Sequence, residues 1–288
     1  MMFGKRKRMI LALINQIDTI LHGNDSIDIS VYKEGELYIL QNEINKMTRR
    51  IREQNEALKK DKQYLADSLA DIAHQLRTPL TSANLALSLA AKAEDEAQRQ
   101  GFLREAEGLL VQTDWLITSL LKLSRLDAGV VEFQDEPIYA RNLINSALRP
   151  LLIPIELQNI ALQMDVPEAV VIQGDLHWLS EALQNILKNC TESAGESGSI
   201  KITCDDTALY TEISIRDSGA GIAKEDLPYL FDRFYRGKNP NAAGYGIGLA
   251  LAKMIISRQN GAITARNHKE GGAVFAVRFP KRIEKLLW

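Results

Sequence analysis

Apolar residues recur at helical spacing in the first third of the chain, in steps of three, four and seven. The positions in this series are Leu40, Ile44, Met47, Ile51, Leu58, Leu65, Leu69, Ile72 and Leu76. Neither glycine nor proline interrupts the series, and dense charge separates its apolar positions. This length without caps predicts a coiled-coil signalling helix over residues 37–69, through which two chains pair. Gln54 and Asp61 interrupt the apolar seam, so a single amphipathic helix on a globular surface stays an alternative.

The helical pattern continues past a proline and then turns back. Pro79 removes a backbone donor and predicts local loosening of the helix, after which the pattern resumes as far as residue 93. The polar stretch EDEAQRQG (94–101) is a predicted turn, and a second helical run follows from Leu103 to Leu126. Two such helices predict an antiparallel hairpin over residues 70–130, which a second copy completes as a four-helix bundle.

The second half of the chain alternates between helical and strand-like patterns. Helices are predicted at residues 140–150, 175–194 and 247–259, and strands at 161–166, 169–174, 199–205, 209–217, 262–267 and 273–279. The last four strands alternate apolar and polar residues, as antiparallel strands with one buried face do. Residues 137–288 therefore predict an α/β sandwich with helices on one face of a mostly antiparallel sheet. The predicted fold class is α + α/β, a helical-hairpin domain followed by this sandwich.

Composition narrows the class of protein. The 35 Lys and Arg residues against 37 Asp and Glu residues leave a net charge of −2, which argues against a nucleic-acid partner. Residues 1–36 begin with a cationic stretch before the short apolar run MILALI (9–14). A membrane span needs roughly 20 apolar residues. We therefore interpret residues 1–36 as an amphipathic or linker segment that lies on a membrane surface or, more simply, packs against protein.

Two glycine turns stand out in the second half of the chain. RDSGAGI (216–222) follows a predicted strand, and AAGYGIGLALAK (242–253) precedes a predicted helix. Glycines let the backbone approach a ligand closely, and amides that open a helix suit phosphate groups. The glycines concerned are Gly219, Gly221, Gly244, Gly246 and Gly248.

Other polar groups suited to a phosphate ligand occur between and before these turns. Asn185 and Asn189 are four apart and share one face of a predicted helix, where amide oxygens can hold Mg²⁺. For this pair alone, two solvated or capping amides are the simpler interpretation. The stretch FDRFYRGKNP (231–240) combines packing aromatics with cations suited to phosphate oxygens. The order of all these features along the chain, more than any one of them, is hard to produce by chance.

Five motifs in this order resemble those of bacterial sensor histidine kinases, over residues 40–288. AHQLRTPL resembles the phosphoacceptor H-box, NILKN the N-box, DSGAG the first glycine box, FDRFYRG the F-box and GYGIGL the second glycine box. The resemblance implies a dimerisation and histidine-phosphotransfer hairpin followed by an ATP-binding domain of the Bergerat (GHKL) type. At a finer level the chain is similar to Gram-positive kinases that accompany peptide-antibiotic transporters.

The resemblance assigns roles within the H-box. His74 would be the nucleophile that attacks the γ-phosphate of ATP. Gln75 stands where the family commonly has an acid; its amide can orient the imidazole but cannot accept a proton. Thr78 would hold the water that dephosphorylates a partner response regulator, and Pro79 would loosen the helix so that His74 can meet both partners.

The resemblance also assigns the ATP-binding residues. Asp217 would accept a hydrogen bond from the adenine amino group. The predicted Mg²⁺ and phosphate ligands are Asn185 and Asn189. The other predicted ATP-binding residues are Gly219, Gly221, Ile222, Phe231, Arg233, Arg236, Lys238, Gly244, Gly246, Gly248 and Leu249. Glu192 and Ser193 depart from the pattern, because the N-box is often followed there by a basic and an aromatic residue.

The resemblance implies a homodimer with a cognate response regulator, and a membrane transporter or sensor is a candidate further partner. No membrane span precedes the coiled coil, so we expect either a cytoplasmic kinase that senses through a partner or a chain whose upstream spans are missing. The alternative function is a kinase-weak, ATP-bound switch, a phosphatase or a scaffold.

Overall fold

The computed structural model describes residue 11 and residues 36–237 and 245–281. Contacts divide the chain into two compact units, Met1–Ala73 and His74–Trp288. Helix α1 runs from Glu36 to Lys92 without interruption, although Pro79 lies inside it. In its first half the seam residues Met47, Ile51 and Leu58 are exposed in the single chain, so the predicted pairing of two chains there stays a prediction.

Helix α2 (Glu96–Asp127) follows α1 after a short turn. The Asp95 side chain accepts a hydrogen bond of 3.2 Å from the backbone N–H of Gln98 and caps the new helix. The predicted turn over residues 94–101 was therefore too long, because the helix begins at Glu96, within that polar stretch.

A five-stranded sheet forms the centre of the second half, in the order β2–β4–β5–β7–β6. Its strands are β2 (Ala161–Asp165), β4 (Ser199–Asp206), β5 (Tyr210–Asp217), β6 (Ala262–Asn267) and β7 (Ala273–Pro280). Of the four strand pairs in this sheet, β2–β4 is parallel and the other three are antiparallel. The pairing confirms the predicted mostly antiparallel sheet. Buried and more exposed positions alternate along β4 and β5, as predicted. The predicted alternation is wrong for β7, whose first five residues are all apolar and buried.

The helices of this half are α3 (Ala140–Leu148), α4 (Leu152–Leu157), α5 (Leu176–Ala194) and α6 (Gly248–Arg258), with 3₁₀ turns at Arg149–Leu151 and Leu227–Tyr229. A separate two-stranded sheet pairs β1 (Glu136–Tyr139) with β3 (Val171–Gly174). The core lies between the helices and the sheet, where Leu183, Ile186, Ile213, Ile215 and Phe275 are at most 1% exposed.

Helix α2 also packs on the α/β domain. Leu116, Leu123 and Leu126 are buried in the same apolar cluster as the core of that domain. A salt bridge of 2.6 Å joins Lys122 to Glu181 of α5. This packing attaches the second arm of the hairpin to the helix that carries the paired asparagines. Among the described residues, no helix is both long and apolar enough to cross a membrane.

Candidate active site

The paired asparagines lie on the polar face of α5. Its N-cap Asp175 is buried and accepts hydrogen bonds from the N–H groups of His177 (3.0 Å) and Trp178 (3.1 Å). This cap fixes where the helix begins, and the apolar face packs into the core. The Asn185 Nδ2 donates to the carbonyl of Glu181 at 3.0 Å, which leaves its oxygen as the atom available to a ligand.

A cleft with a volume of about 150 Å³ lies against this face of α5. It is lined by Trp115, Asn185, Lys188, Asn189, Glu192, Leu230, Tyr235, Arg236, Gly237, Tyr245, Gly246, Gly248 and Leu249. Six of the predicted ATP-binding residues are thus brought together, from the N-box, the F-box and the second glycine box. Ordinary ligand pockets measure about 300–1,000 Å³, so this cleft suits the phosphate end of a nucleotide rather than the whole molecule.

The N-terminus of α6 borders the same cleft. Gly246 has a φ of +69°, and a Cβ at this position would collide with the backbone of Phe234 and Tyr235. The Phe234 N–H donates to the Gly246 carbonyl at 2.9 Å, which holds the F-box against the glycine turn. Amides that open a helix carry partial positive charge and suit phosphate oxygens. The sequence therefore uses glycine where the backbone must come close.

Asp217, at the end of β5, is 1% exposed and has an incomplete set of partners. Its Oδ1 accepts hydrogen bonds from Gly219 N (2.9 Å), Ala273 N (3.2 Å) and Ser193 Oγ (3.4 Å). Its Oδ2 is buried and has no partner among the described residues. Burial and the nearby Asp217 charge raise the pKa of the Cys190 thiol, so that group stays protonated at neutral pH. A buried carboxylate oxygen without a donor is suited to a ligand N–H such as the adenine amino group.

The loop after Asp217 is fixed by an asparagine that the motifs do not include. Asn267 Oδ1 accepts from the Ile222 N–H at 2.7 Å, and Asn267 Nδ2 donates to the Ile222 carbonyl at 2.6 Å. Gly221, with a φ of +79°, lies directly before this clamp. Sequence reasoning named Ile222 but missed Asn267. Its only signal is a polar residue at the end of a predicted strand, which is a common feature.

The F-box residues separate into different environments. The Tyr235 hydroxyl donates to Asp226 Oδ1 at 2.7 Å, which raises the pKa of Tyr235 to about 12. Arg236 lines the cleft, whereas Arg233 forms an ion pair with Asp127 of α2. Phe231 packs at the edge of the core, with the Lys253 ammonium 5.7 Å from its ring centre. The predicted ATP-binding residues Lys238 and Gly244 lie outside the described residues.

The H-box lies on α1, apart from the residues that line the cleft. His74 is exposed, and its carbonyl accepts a hydrogen bond of 3.2 Å from the Thr78 hydroxyl. Gln75 is half-buried and Pro79 is buried. The structure does not bring His74 into the cleft, so its imidazole is free to meet a phosphoryl donor or a second protein from solvent.

Two family models match the chain. Residues 64–129 match the His Kinase A (phospho-acceptor) domain, and residues 174–283 match the histidine kinase-, DNA gyrase B- and HSP90-like ATPase. The class is therefore a phosphoacceptor hairpin joined to an ATP-binding domain.

Curated relatives agree with this class. The heme sensor protein HssS of Staphylococcus saprophyticus is 26% identical over 92% of this chain and 55% of its own length. The sensor protein SphS of Synechococcus elongatus is 32% identical over 74% of this chain and 54% of its own. The chain thus spans about half the length of these relatives. It belongs to the sensor histidine kinases of two-component systems.

Solved structures show the same fold. The Acinetobacter baumannii histidine kinase AdeS is 22% identical, covers 72% of this chain and 97% of its own, and has a TM-score of 0.59. The histidine kinase ThkA, solved in complex with the response regulator protein TrrA, is 23% identical, covers 88% of this chain and 70% of its own, and has a TM-score of 0.64. At these identities the likeness supports the fold, the helical hairpin followed by the α/β domain.

Proposed function

We propose that this chain is an ATP-dependent protein-histidine kinase that phosphorylates His74 and passes the phosphoryl group to an aspartate of a response regulator. The observation that carries the proposal is the buried Oδ2 of Asp217, which has no partner among the described residues. It lies in the same domain as a phosphate-sized cleft at the N-terminus of α6. Together they offer an acceptor for adenine and donors for phosphate.

The chemistry at His74 needs a neutral ring nitrogen. The nitrogen lone pair attacks the γ-phosphorus, the bond to the β,γ-bridging oxygen breaks, and ADP leaves. Gln75 orients the ring through its amide, and the ring proton leaves to solvent because an amide cannot accept it.

Asn185 and Asn189 would hold the Mg²⁺ that accompanies ATP, because amide oxygens are among the ligands this ion accepts. The ion, when bound, neutralises part of the charge on the phosphates. Gly219, Gly221 and Ile222 would line the adenine site, held in place by Asn267. Arg236 would contact the phosphates, and Lys238 and Gly244 are predicted to bind ATP as well.

Pairing of two chains through the hairpin is part of the proposal. Apolar residues that the single chain leaves exposed on α1 and α2 support it: Leu80, Leu85, Leu87, Leu89, Leu103, Leu110, Val111, Ile117 and Leu121. A second copy would cover such a surface as a four-helix bundle.

The partner response regulator is supported by the ThkA–TrrA complex, a histidine kinase bound to such a protein. Thr78 lies one helical turn from His74 and would position the water that removes the phosphoryl group from the regulator. A transporter or membrane sensor as signal source, and the finer similarity to Gram-positive kinases paired with peptide-antibiotic transporters, stay predictions.

Incubation with γ-³²P-labelled ATP and Mg²⁺ tests the kinase activity directly. Wild-type protein should acquire acid-labile label, His74→Ala should acquire none, and the matched variant His177→Ala should label normally. Label of unchanged amount in His74→Ala would refute the assignment.

The kinase-weak switch is the second candidate, and it is favoured by Gln75 next to the phosphoacceptor. A variant Gln75→Glu supplies a proton acceptor. The switch is supported if this variant labels at least about tenfold faster than wild type, which corresponds to about 1.4 kcal/mol in the barrier. Equal labelling rates in the variant and the wild type would rule out the kinase-weak switch.

A further inference from the structure

One acidic residue lines the phosphate cleft, a place where an acid is unexpected. Asn185, Asn189 and Glu192 follow each other on α5 at spacings of four and three, so they share one face of the helix. All three line the cleft, and Glu192 is the only acid that does so among the described residues. A carboxylate here faces the ligand most strongly repelled by negative charge, the triphosphate.

The surroundings do not neutralise this carboxylate fully. It forms an ion pair with Lys188, whose Nζ lies 4.0 Å from Glu192 Oε1, the outer limit of such a pair. The same ammonium lies 5.1 Å from the centre of the Trp115 ring. The described residues donate no hydrogen bond to Glu192. Partial burial raises the pKa of the Glu192 carboxyl, and Lys188 lowers it by less. The group therefore retains the capacity to bind a cation.

Magnesium sites in proteins combine one or two carboxylates with substrate phosphates and water. Asn185 and Asn189 supply two neutral oxygens and no charge. Glu192 supplies the single carboxylate that such a site would otherwise lack, on the same wall of the same cleft.

We propose that Glu192 is a ligand of the Mg²⁺ that accompanies ATP, so that the free site repels ATP and the metal-loaded site binds it. This inference rests on the proposed ATP-binding function. Its consequence is a strong dependence of nucleotide affinity on Mg²⁺. The carboxylate opposes metal-free nucleotide and attracts the metal complex. Removing its charge should therefore shift the two affinities in opposite directions.

Binding of a non-hydrolysable ATP analogue to the full chain, with Mg²⁺ or with EDTA, measures this dependence without any turnover. In wild-type protein the dissociation constant should rise by about 30-fold or more in EDTA, equivalent to about 2 kcal/mol. In Glu192→Gln the ratio should shrink to about threefold. The variant should bind weaker with Mg²⁺ and tighter without it. Glu196→Gln, which removes an exposed acid just beyond the helix, should keep the wild-type ratio.

Mn²⁺ titration followed by electron paramagnetic resonance gives a second measurement. In the presence of the analogue, Glu192→Gln should bind Mn²⁺ about tenfold more weakly than wild type. Glu192 is 37% exposed, so the variant should fold normally, and circular dichroism checks this.

The outcomes separate the two proposals. If both Glu192→Gln affinities change by the same factor, the residue acts by repulsion alone and the metal inference is refuted. Two unchanged affinities refute it as well. If wild-type protein binds the analogue in neither condition, the proposed ATP-binding function itself fails, and the metal inference fails with it.

Discussion

Replacing Asp217 by asparagine exchanges one carboxylate oxygen for an NH₂ group and keeps the shape of the side chain. Asp217 is the proposed hydrogen-bond acceptor for the adenine amino group. Asp217 Oδ1 receives three hydrogen bonds, and Oδ2 receives none from the described residues. Asparagine keeps an oxygen at the first position and places an NH₂ group at the second. The substituted group donates where the carboxylate accepted, so it opposes the amino group of adenine.

The expected loss of affinity follows from the strength of the missing bond. A hydrogen bond to a charged acceptor contributes about 1.5–3 kcal/mol. At about 1.4 kcal/mol per tenfold change, Asp217→Asn should weaken ATP binding by about 10- to 150-fold. In the variant the three donors to Oδ1 still find an acceptor, which is now a neutral amide oxygen. The free energy of unfolding should therefore fall by only about 1–2 kcal/mol.

Calorimetric titration with ATP and with inosine triphosphate makes the test specific. Inosine carries an oxygen where adenine carries its amino group, and the asparagine NH₂ can donate to it. The wild-type protein should bind ATP more tightly than inosine triphosphate, and the ratio of the two dissociation constants should be much smaller in the variant. Asp205→Asn, an exposed acid on β4, is the matched control and should change neither affinity. An equal loss for both nucleotides would show that Asp217 does not contact the adenine amino group.

Three further expectations concern the same domain. Asn267→Ala removes two hydrogen bonds to Ile222, at about 1 kcal/mol each. ATP affinity measured by calorimetry should therefore fall by up to about 30-fold; an unchanged affinity would show that the clamp does not order the adenine loop. Gly272→Ala should lower the free energy of unfolding by about 2–4 kcal/mol in urea titrations, because φ is +81° and a Cβ would strike the Asp217 carbonyl; a smaller loss would show that the turn can shift. The raised pKa of Tyr235 favours the folded state below pH 10, and this contribution is lost between pH 10 and about 12; ultraviolet titration should show a late tyrosine phase that Tyr235→Phe removes, and an identical curve would contradict it.

Local periodicity explains why most of the sheet and its helices could be predicted. The strands β4 and β5 bury one face, so their sequences alternate with a period of two. Periodicity does not predict the strand β1, because its four residues include a proline and its partner strand, β3, lies more than 30 residues away. The helix α4 was missed for a similar reason, since Pro154 interrupts its short pattern.

The residues of the candidate site could be predicted from the sequence only where they belong to a motif. Asn185 and Asn189 were named because they repeat at helical spacing near glycine turns. Asn267 and Trp115 carry no such signal, because their roles depend on how β6 and α2 meet the rest of the domain. The ion pair of Arg233 with Asp127 is likewise a tertiary contact, which no spacing along the chain reveals.

Trp115 belongs to the hairpin, yet its ring forms part of the wall of the phosphate cleft. The salt bridge of Lys122 with Glu181 holds the same arm against α5. A shift of α2 would therefore change the shape of this cleft, and with it the affinity of the proposed nucleotide site. Thermodynamic reciprocity then requires that nucleotide, in turn, biases the position of α2 by the same free energy. Nucleotide binding and the position of the hairpin are thus coupled in a single equilibrium. The fluorescence of the Trp115 indole would report on that equilibrium.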